Sequence, residues 1–378
     1  MKILLSNSTD IFAGGEDYVL ILAKYLKQRG HDLRVSANPG HLLLRKCAEN
    51  GIETLPLSYT GMSRVFGVAA EMRASLRRLN IDIVHSNANY DRTVAGIASA
   101  GLRTRHVASV HSSHSIQHNI THWIRNRWGT DHFIADADSV RRVLVEEDHI
   151  PRERISVIPI GVEDSAQADR CRWRDRTRAA WGIGKETVVI GNVARLVPFK
   201  GHRYLVDAVA GVAKTAGNIL CVIVGDGELM PDLQKQVRSQ HLERFVQFLG
   251  FQDNLHELYP AFDVYCHSSL DLEAEAFPLA ILRALATALP VVATRVGGID
   301  MMVHEGVTGH LVPPGDAVGL AGALLGVLGS PETMRTMGEK SAELFRANFH
   351  AAAMAERVDQ VYHRITGNRA TPTEFPRM

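Results

Sequence analysis

The chain has 378 residues, 46% hydrophobic and 22% charged, with a net charge of +1. That composition is of a globular protein too large for one hydrophobic core, so two domains are expected. Near-neutrality gives no global attraction to nucleic acid, and the apolar runs are strand-sized or amphipathic, short of a membrane span.

The opening MKILLSNSTD has too short an apolar part for a signal peptide, and Cys47, Cys171, Cys221 and Cys266 lack paired or metal-ligand spacing. A reducing cytoplasm is therefore expected. From Lys2 the chain alternates strands with helices. Residues 2–6 read as a buried strand, Gly14-Gly15 breaks it, 16–28 carries apolar residues at helical spacing, and Gly30 stops that helix. Strands follow at 32–37, 81–85, 107–110 and 133–135, with helices over 93–100, up to Trp128, and over 139–147. This predicts a parallel sheet with helices on both faces, closing at 155–161. The run RCRWRDRTR at 170–178 changes the composition, and 162–178 reads as the domain junction.

The alternation then restarts. Strands are predicted at 187–193, 219–224 and 245–249, with helices over 203–216 and 229–240; Gly225-Asp226-Gly227 ends the second strand. Next come a strand at 265–269, the acidic loop Asp271-Leu272-Glu273-Ala274-Glu275, an apolar helix over 276–289 and a strand at 290–294. Strand, loop and helix in that order put Glu275 beside a helix N-terminus, where backbone N–H groups and the helix dipole favour phosphate. The loop Arg295-Val296-Gly297-Gly298-Ile299 can bring bare backbone to the same anion. Amphipathic helices over 331–345 and 351–365 and a loose tail complete the chain.

The runs GNVARLVPFKG, VGDGELM, EAFPLAILRALATALPVVAT and GVTGHLVPPGD, with GGEDYVLILAKYL, DIVHSN, VASVH and ISVIPIGVE before them, stand in one order along nearly the whole chain. In this it resembles the retaining glycosyltransferases of family 4, group 1. The resemblance implies an α/β chain of two doubly wound Rossmann-like domains facing across a cleft, the GT-B architecture. Its expected divisions are an acceptor-side domain at 1–165, a nucleotide-sugar domain at 166–348, a helix at 349–366 crossing back to the first domain, and a tail at 367–378.

The implied chemistry is displacement of a nucleoside diphosphate from a sugar. Arg195 and Lys200 resemble the pair that clamps the diphosphate, which would stand in for a metal ion, so no metal and no cofactor are expected. A solvated surface pair is the plainer alternative. Glu275 would hold donor-sugar hydroxyls and stabilise the transition state, or else be only a helix N-terminal acid. Ala276, Phe277, Pro278 and Leu279 would present the helix start to the phosphates, joined by Gly297, Gly298 and Gly225; ordinary turn chemistry is the alternative. Gly14 and Gly15 would let the first loop approach the reacting centre. His111, at a strand end, resembles a histidine that meets the donor sugar.

His114, His118 and His122 would share a helix face, but no carboxylate lies near them in sequence, and a metal site is discounted. The same segment carries Trp123, Arg125, Arg127 and Trp128, and 61–130 holds nine Lys or Arg against three Asp or Glu. That suits peripheral contact with an anionic membrane; acceptor-loop packing with a solvated face is the alternative. Three positions depart from the family pattern. Arg283 stands where a second glutamate would take the ribose hydroxyls, Asp300-Met301 replaces Pro-Glu, and Ile160 replaces an asparagine before Gly161.

The leading expectation is transfer of a hexose-type sugar to a lipid-linked or polysaccharide acceptor, in lipopolysaccharide, O-antigen or capsule synthesis, on the inner face of the membrane. A binding or partner subunit that has lost turnover, and a nucleotide-sugar epimerase, are the alternatives.

Overall fold

The structure is a computed structural model. It describes residues 1–9, 14–164, 169–270 and 277–367, apart from the Met62 side chain. The chain divides into two compact units, Met1–Gly161 with the segment from Ala351, and Val162–His350.

The first unit runs β1 (Lys2–Ser6), α1 (Gly14–Gln28), β2 (Asp32–Ser36), α2 (Leu42–Glu49), β3 (Glu53–Thr54), α3 (Val65–Leu79) and β4 (Ile83–Ser86). It continues with α4 (Asn89–Ser99), β5 (Arg105–Val110), α5 (Ile120–Trp128), β6 (His132–Ala135), α6 (Asp138–Glu146) and β7 (Ile155–Val157). Its seven strands lie in the order β3-β2-β1-β4-β5-β6-β7, every neighbour parallel.

The second unit runs α7 (Arg170–Ala180), β8 (Val188–Val193), α8 (His202–Ala213), β9 (Ile219–Val224), α9 (Met230–Ser239), β10 (Val246–Gly250), α10 (Leu255–Leu258) and β11 (Val264–His267). After it come α11 (Leu279–Ala286), β12 (Val291–Thr294), β13 (Gly309–Val312), α12 (Ala317–Leu328) and α13 (Pro331–Asn348). Its parallel order is β10-β9-β8-β11-β12-β13. Both sheets thus start at a central strand, wind outward one way, and then wind outward the other way. Such sheets bind ligands at the carboxyl ends of the two strands where the winding reverses: β1 and β4 in the first unit, β8 and β11 in the second.

Burial on both faces explains the strand composition. Leu4, Leu5, Ile83 and Val84 are fully buried, as are Ile190, Val264, Val291 and Val292. Helices α8 and α12 pack together over the second sheet through Leu205, Val209, Leu320 and Leu324. Capping sets the later helix starts: Asp316 Oδ1 accepts from Gly319 N at 2.8 Å, and Ser330 Oγ accepts from Glu332 N at 3.1 Å with Pro331 next in line. No single described helix is long and apolar enough to cross a membrane.

The fold narrows the expected junction to its first residues. Residues 170–178 are no linker; they belong to α7, a helix of the second unit. Arg174 and Arg178, one turn apart, both donate to Asp263, which also accepts from Val189 N at 2.7 Å. Arg170 reaches Ala286 O. The division falls at Gly161/Val162 and again at His350/Ala351, a few residues from the expected 165 and 348.

The last helix, α14 (Ala351–Thr366), packs on α1. Arg29 Nε donates to Asp359 at 2.9 Å, and the Tyr362 hydroxyl meets His85 Nδ1 at 2.5 Å beneath the sheet. Residues 368–378, expected as a loose tail, lie outside the described residues.

Candidate active site

In the second unit the site is built from the exits of three neighbouring strands, β8, β11 and β12. Past β8 the chain is laced to the exit of β9: Ala194 N donates to Val224 O at 3.0 Å and Leu196 N to Asp226 O at 2.9 Å. Gly225, at φ +135°, allows this approach, because a Cβ there would overlap the carbonyl oxygen of Ala194. Its glycine therefore has a packing reason of its own.

The turn Pro198–Lys200 is pinned across the reversal point to β11. Leu270 N donates to Phe199 O at 2.7 Å, Ser268 Oγ donates to Lys200 O at 2.9 Å, and Gly201, at φ +65°, leaves no room for a Cβ beside Ser268 O. The result brings together two cations five residues apart in sequence. The Arg195 guanidinium lies 6.0 Å and the Lys200 ammonium 5.3 Å from the centre of the Phe199 ring. Arg195 is exposed and Lys200 half-buried.

A layer of polar side chains packs beside them. His202 is fully buried with neither ring nitrogen hydrogen-bonded, and burial, then His267 and Lys200, bring its pKa down to about 4. It adds no charge beneath the cations. His267 Nε2 meets Ser269 Oγ at 3.0 Å, and Thr294 Oγ1 donates to Ser269 O at 2.6 Å, tying β12 to the same exit.

Of the segment expected to face the phosphates, Glu275 and Ala276 lie outside the described residues, as does the acidic loop from Asp271. Phe277 is buried against Phe349, with 5.8 Å between ring centres. Pro278 precedes α11, and lacking an N–H it cannot donate to a phosphate, which corrects the expectation that all of 277–279 do so. Leu279 and Ala280 supply the first helical N–H groups instead. Arg283 lies on the second turn of α11, half-buried and close enough to Tyr259 for its charge to oppose the burial that raises that phenol's pKa. After β12, Gly297 turns the chain at φ +55° and Gly298 leads into the turn Ile299–Met301.

In the first unit His111 follows β5. Its Nδ1 lies 3.3 Å from Asp136 Oδ2, and Tyr18 meets the ring edge-on at 4.6 Å. Gly14 and Gly15 open α1, and a Cβ at Gly15 would touch nothing within 4 Å among the described residues. The histidine trio does not form one helical face: Asn119 caps α5, leaving His114 and His118 ahead of it and only His122 within. Arg125 is also re-placed; it is buried, donating to Ile116 O at 2.8 Å.

Sequence reasoning missed Phe199, Asp136, His202 and Ser268. Phe199 alone carried a signal, as the aromatic between the two cations.

Two parallel, doubly wound units with strand-exit loops carrying a cation pair define the GT-B class of glycosyltransferase. The solved structures agree on the fold. A glycosyltransferase from Rickettsia africae superposes with a TM-score of 0.84 at 20% identity, covering 97% of this chain and all of its own. Anabaena HepE, solved with UDP, gives 0.81 at 22%, over 96% of this chain and all of its own. The sequence families fix the type: residues 12–166 match Glycosyltransferase Family 4, and residues 174–344 match Glycosyl transferases group 1. The chain belongs to this glycosyltransferase family.

Among curated relatives, the N-acetyl-alpha-D-glucosaminyl L-malate synthase of Bacillus anthracis is 26% identical over 91% of this chain and 92% of its own. An Escherichia coli UDP-Gal:alpha-D-GlcNAc-diphosphoundecaprenol alpha-1,3-galactosyltransferase is 26% identical over 61% of this chain and 59% of its own.

Proposed function

We propose that the chain is a retaining, metal-independent hexosyltransferase that carries a sugar from a nucleoside-diphosphate donor to a lipid-linked or polysaccharide acceptor in cell-surface glycan synthesis. The observation that carries this reading is the pair Arg195 and Lys200 about Phe199 at the β8/β11 reversal point. As the bond from the anomeric carbon to the diphosphate breaks, charge grows on the phosphate oxygens; two fixed cations stabilise it without a divalent ion. The acceptor oxygen then bonds to the anomeric carbon on the face the diphosphate left, its proton passing to an oxygen of the departing diphosphate. Glu275 and His111 are assigned to the donor sugar on the family resemblance, and Gly14, Gly15, Gly297 and Gly298 to close backbone approach. The lipid-linked acceptor is supported by the Escherichia coli relative, whose name gives a diphosphoundecaprenol substrate, and a uridine donor by the neighbour solved with UDP.

Thermal-shift measurement with UDP, GDP and ADP sugars tests the reading. A donor at about 100 times its Kd should stabilise the protein by roughly 2.7 kcal/mol, in the presence of EDTA as in its absence. No shift with any nucleoside diphosphate, or a shift that EDTA removes, would count against it. Anomeric NMR of the product decides retention.

Arg283 bears on the ribose. Arginine accepts no hydrogen bond, whereas ribose hydroxyls are best held by a carboxylate. Ordinary and 2′-deoxy donors should therefore bind within a few-fold of each other, and Arg283→Glu should introduce discrimination of about 1 to 3 kcal/mol. Strong rejection of the 2′-deoxy donor by the wild-type protein would show the argument to be wrong.

Peripheral membrane contact is proposed through α5. Ile120, Ile124 and Trp128 form one exposed stripe along α5 at 68%, 46% and 70% exposure, with Trp123 edge-on to Trp128 at 5.1 Å. Arg127 flanks the stripe; α4 lies between α5 and α3, which exposes Phe66, Arg77 and Arg78. Rings and aliphatic groups enter a lipid interface while arginines meet anionic headgroups, at about 1 kcal/mol per charge. Binding to phosphatidylglycerol vesicles should exceed binding to phosphatidylcholine vesicles, fall as salt rises, and drop with Trp128→Glu. Equal binding to both vesicles would reject this face.

A further inference from the structure

We propose that Asp136 is a positioning residue that holds the His111 imidazole with its proton on Nδ1, leaving Nε2 as the hydrogen-bond acceptor turned to the ligand. The inference rests on the reading that His111 meets the donor sugar. Asp136 follows β6, the sheet neighbour of β5, so two strand exits deliver a carboxylate and an imidazole side by side. Asp136 is 2% exposed and its Oδ1 has no hydrogen-bond partner; Oδ2 faces His111 Nδ1 at 3.3 Å. A carboxylate desolvated to this degree needs a donor. With the proton on Nε2, the Nδ1 lone pair would instead face the carboxylate, acceptor against acceptor.

The ring is held from its other side as well. Tyr18 of α1 packs edge-on against it, and the Tyr18 hydroxyl meets Ser109 Oγ at 3.1 Å, which meets His85 Nε2 at 2.8 Å. These groups carry no competing charge. Burial foremost lowers the His85 pKa to about 3; burial foremost keeps Tyr18 a protonated phenol, the Asp136 charge adding to it against the Ser109 hydrogen bond. The His111 Nε2 is buried and has no hydrogen-bond partner among the described residues. It is the atom left to receive a hydroxyl hydrogen of the sugar.

Long-range proton–nitrogen NMR of the full chain with 15N-labelled histidine, His111 being identified by its loss in His111→Gln, reads the tautomer directly. The expected wild-type pattern is a protonated Nδ1 and a bare Nε2, shifting toward a mixed or reversed pattern in Asp136→Asn. Alongside it, kcat/KM for the donor should fall about 10- to 100-fold, as when an orienting partner is removed, with Asp136→Glu recovering part of the loss. A protonated Nε2 in the wild-type protein, or an unchanged tautomer in Asp136→Asn, would overturn the proposal. Should Asp136→Asn not fold, the wild-type spectrum still decides. If the tautomer shifts as expected but His111→Gln transfers sugar at the wild-type rate, the donor-sugar reading falls and the positioning stands.

Discussion

Arg195→Ala and Lys200→Ala should each remove most sugar transfer, by roughly 2 to 4 kcal/mol of transition-state stabilisation. That corresponds to about 30- to 1000-fold in kcat/KM. The fold should survive, since Arg195 is exposed and what either side chain gives to Phe199 at that distance is about 0.5 to 1 kcal/mol. The two losses should not add if, as proposed, both cations act on one leaving group. Steady-state kinetics with a melting curve for each variant checks this. Near-normal turnover in both single variants would remove the ground for placing the diphosphate at the β8/β11 reversal.

Asp263→Ala should destabilise the second unit by about 3 to 5 kcal/mol, the cost of breaking a mostly buried ion pair from one side. Asp263 is 18% exposed, and it is the carboxylate that accepts from Arg174, Arg178 and Val189 N together. Arg178 is 6% exposed, with Nε on Ala261 O at 2.9 Å, so without its carboxylate a guanidinium would remain inside with carbonyls as its only acceptors. Replacing Arg178 by leucine as well should recover part of the loss, since the stranded charge is then gone. Denaturant unfolding of the three proteins measures it; a loss below about 1 kcal/mol for Asp263→Ala would mean that α7 is held by packing rather than by charge.

The same aspartate shows where sequence reading reached its limit. Strands such as residues 188–193 and 219–224 were legible because a parallel strand buried on both faces must be a short run of β-branched residues between turns. Helix α7 was not, because RCRWRDRTR has no apolar stripe; its inner face is arginine, and what makes it a face is Asp263, some 85 residues later. The four-residue spacing of Arg170, Arg174 and Arg178 was the available signal. Helix α12 was passed over since AVGLAGALLGVL has too many glycines for propensity to favour it; the Asp316 cap and packing on α8 decide in its favour.

At the site, Arg195 and Lys200 were readable through the family resemblance, but their meeting at Phe199 depends on hydrogen bonds from β11. Asp136 was invisible beside His111 because adjacency in a parallel sheet relates residues a whole helix apart. The trio His114, His118 and His122 failed for a local reason: Asn119 starts the helix, so the periodicity was imposed on residues that lie outside it.

The return of α14 to the first unit fixes an order of events at the ribosome. The chain from Val162 to His350 is contiguous and can form its sheet as soon as it emerges, whereas the first unit lacks Asp359 and Tyr362 until α14 has followed it. At ordinary elongation rates the interval between Gly161 and Thr366 is roughly 10 to 40 s. Throughout it the α1 surface that α14 will cover stays open and His85 lacks the Tyr362 hydroxyl. The nascent chain should therefore hold a completed second unit beside an unfinished first one, which makes the first unit the client of any holding chaperone and makes early termination before residue 351 worse for the half of the protein already made than for the half just completed.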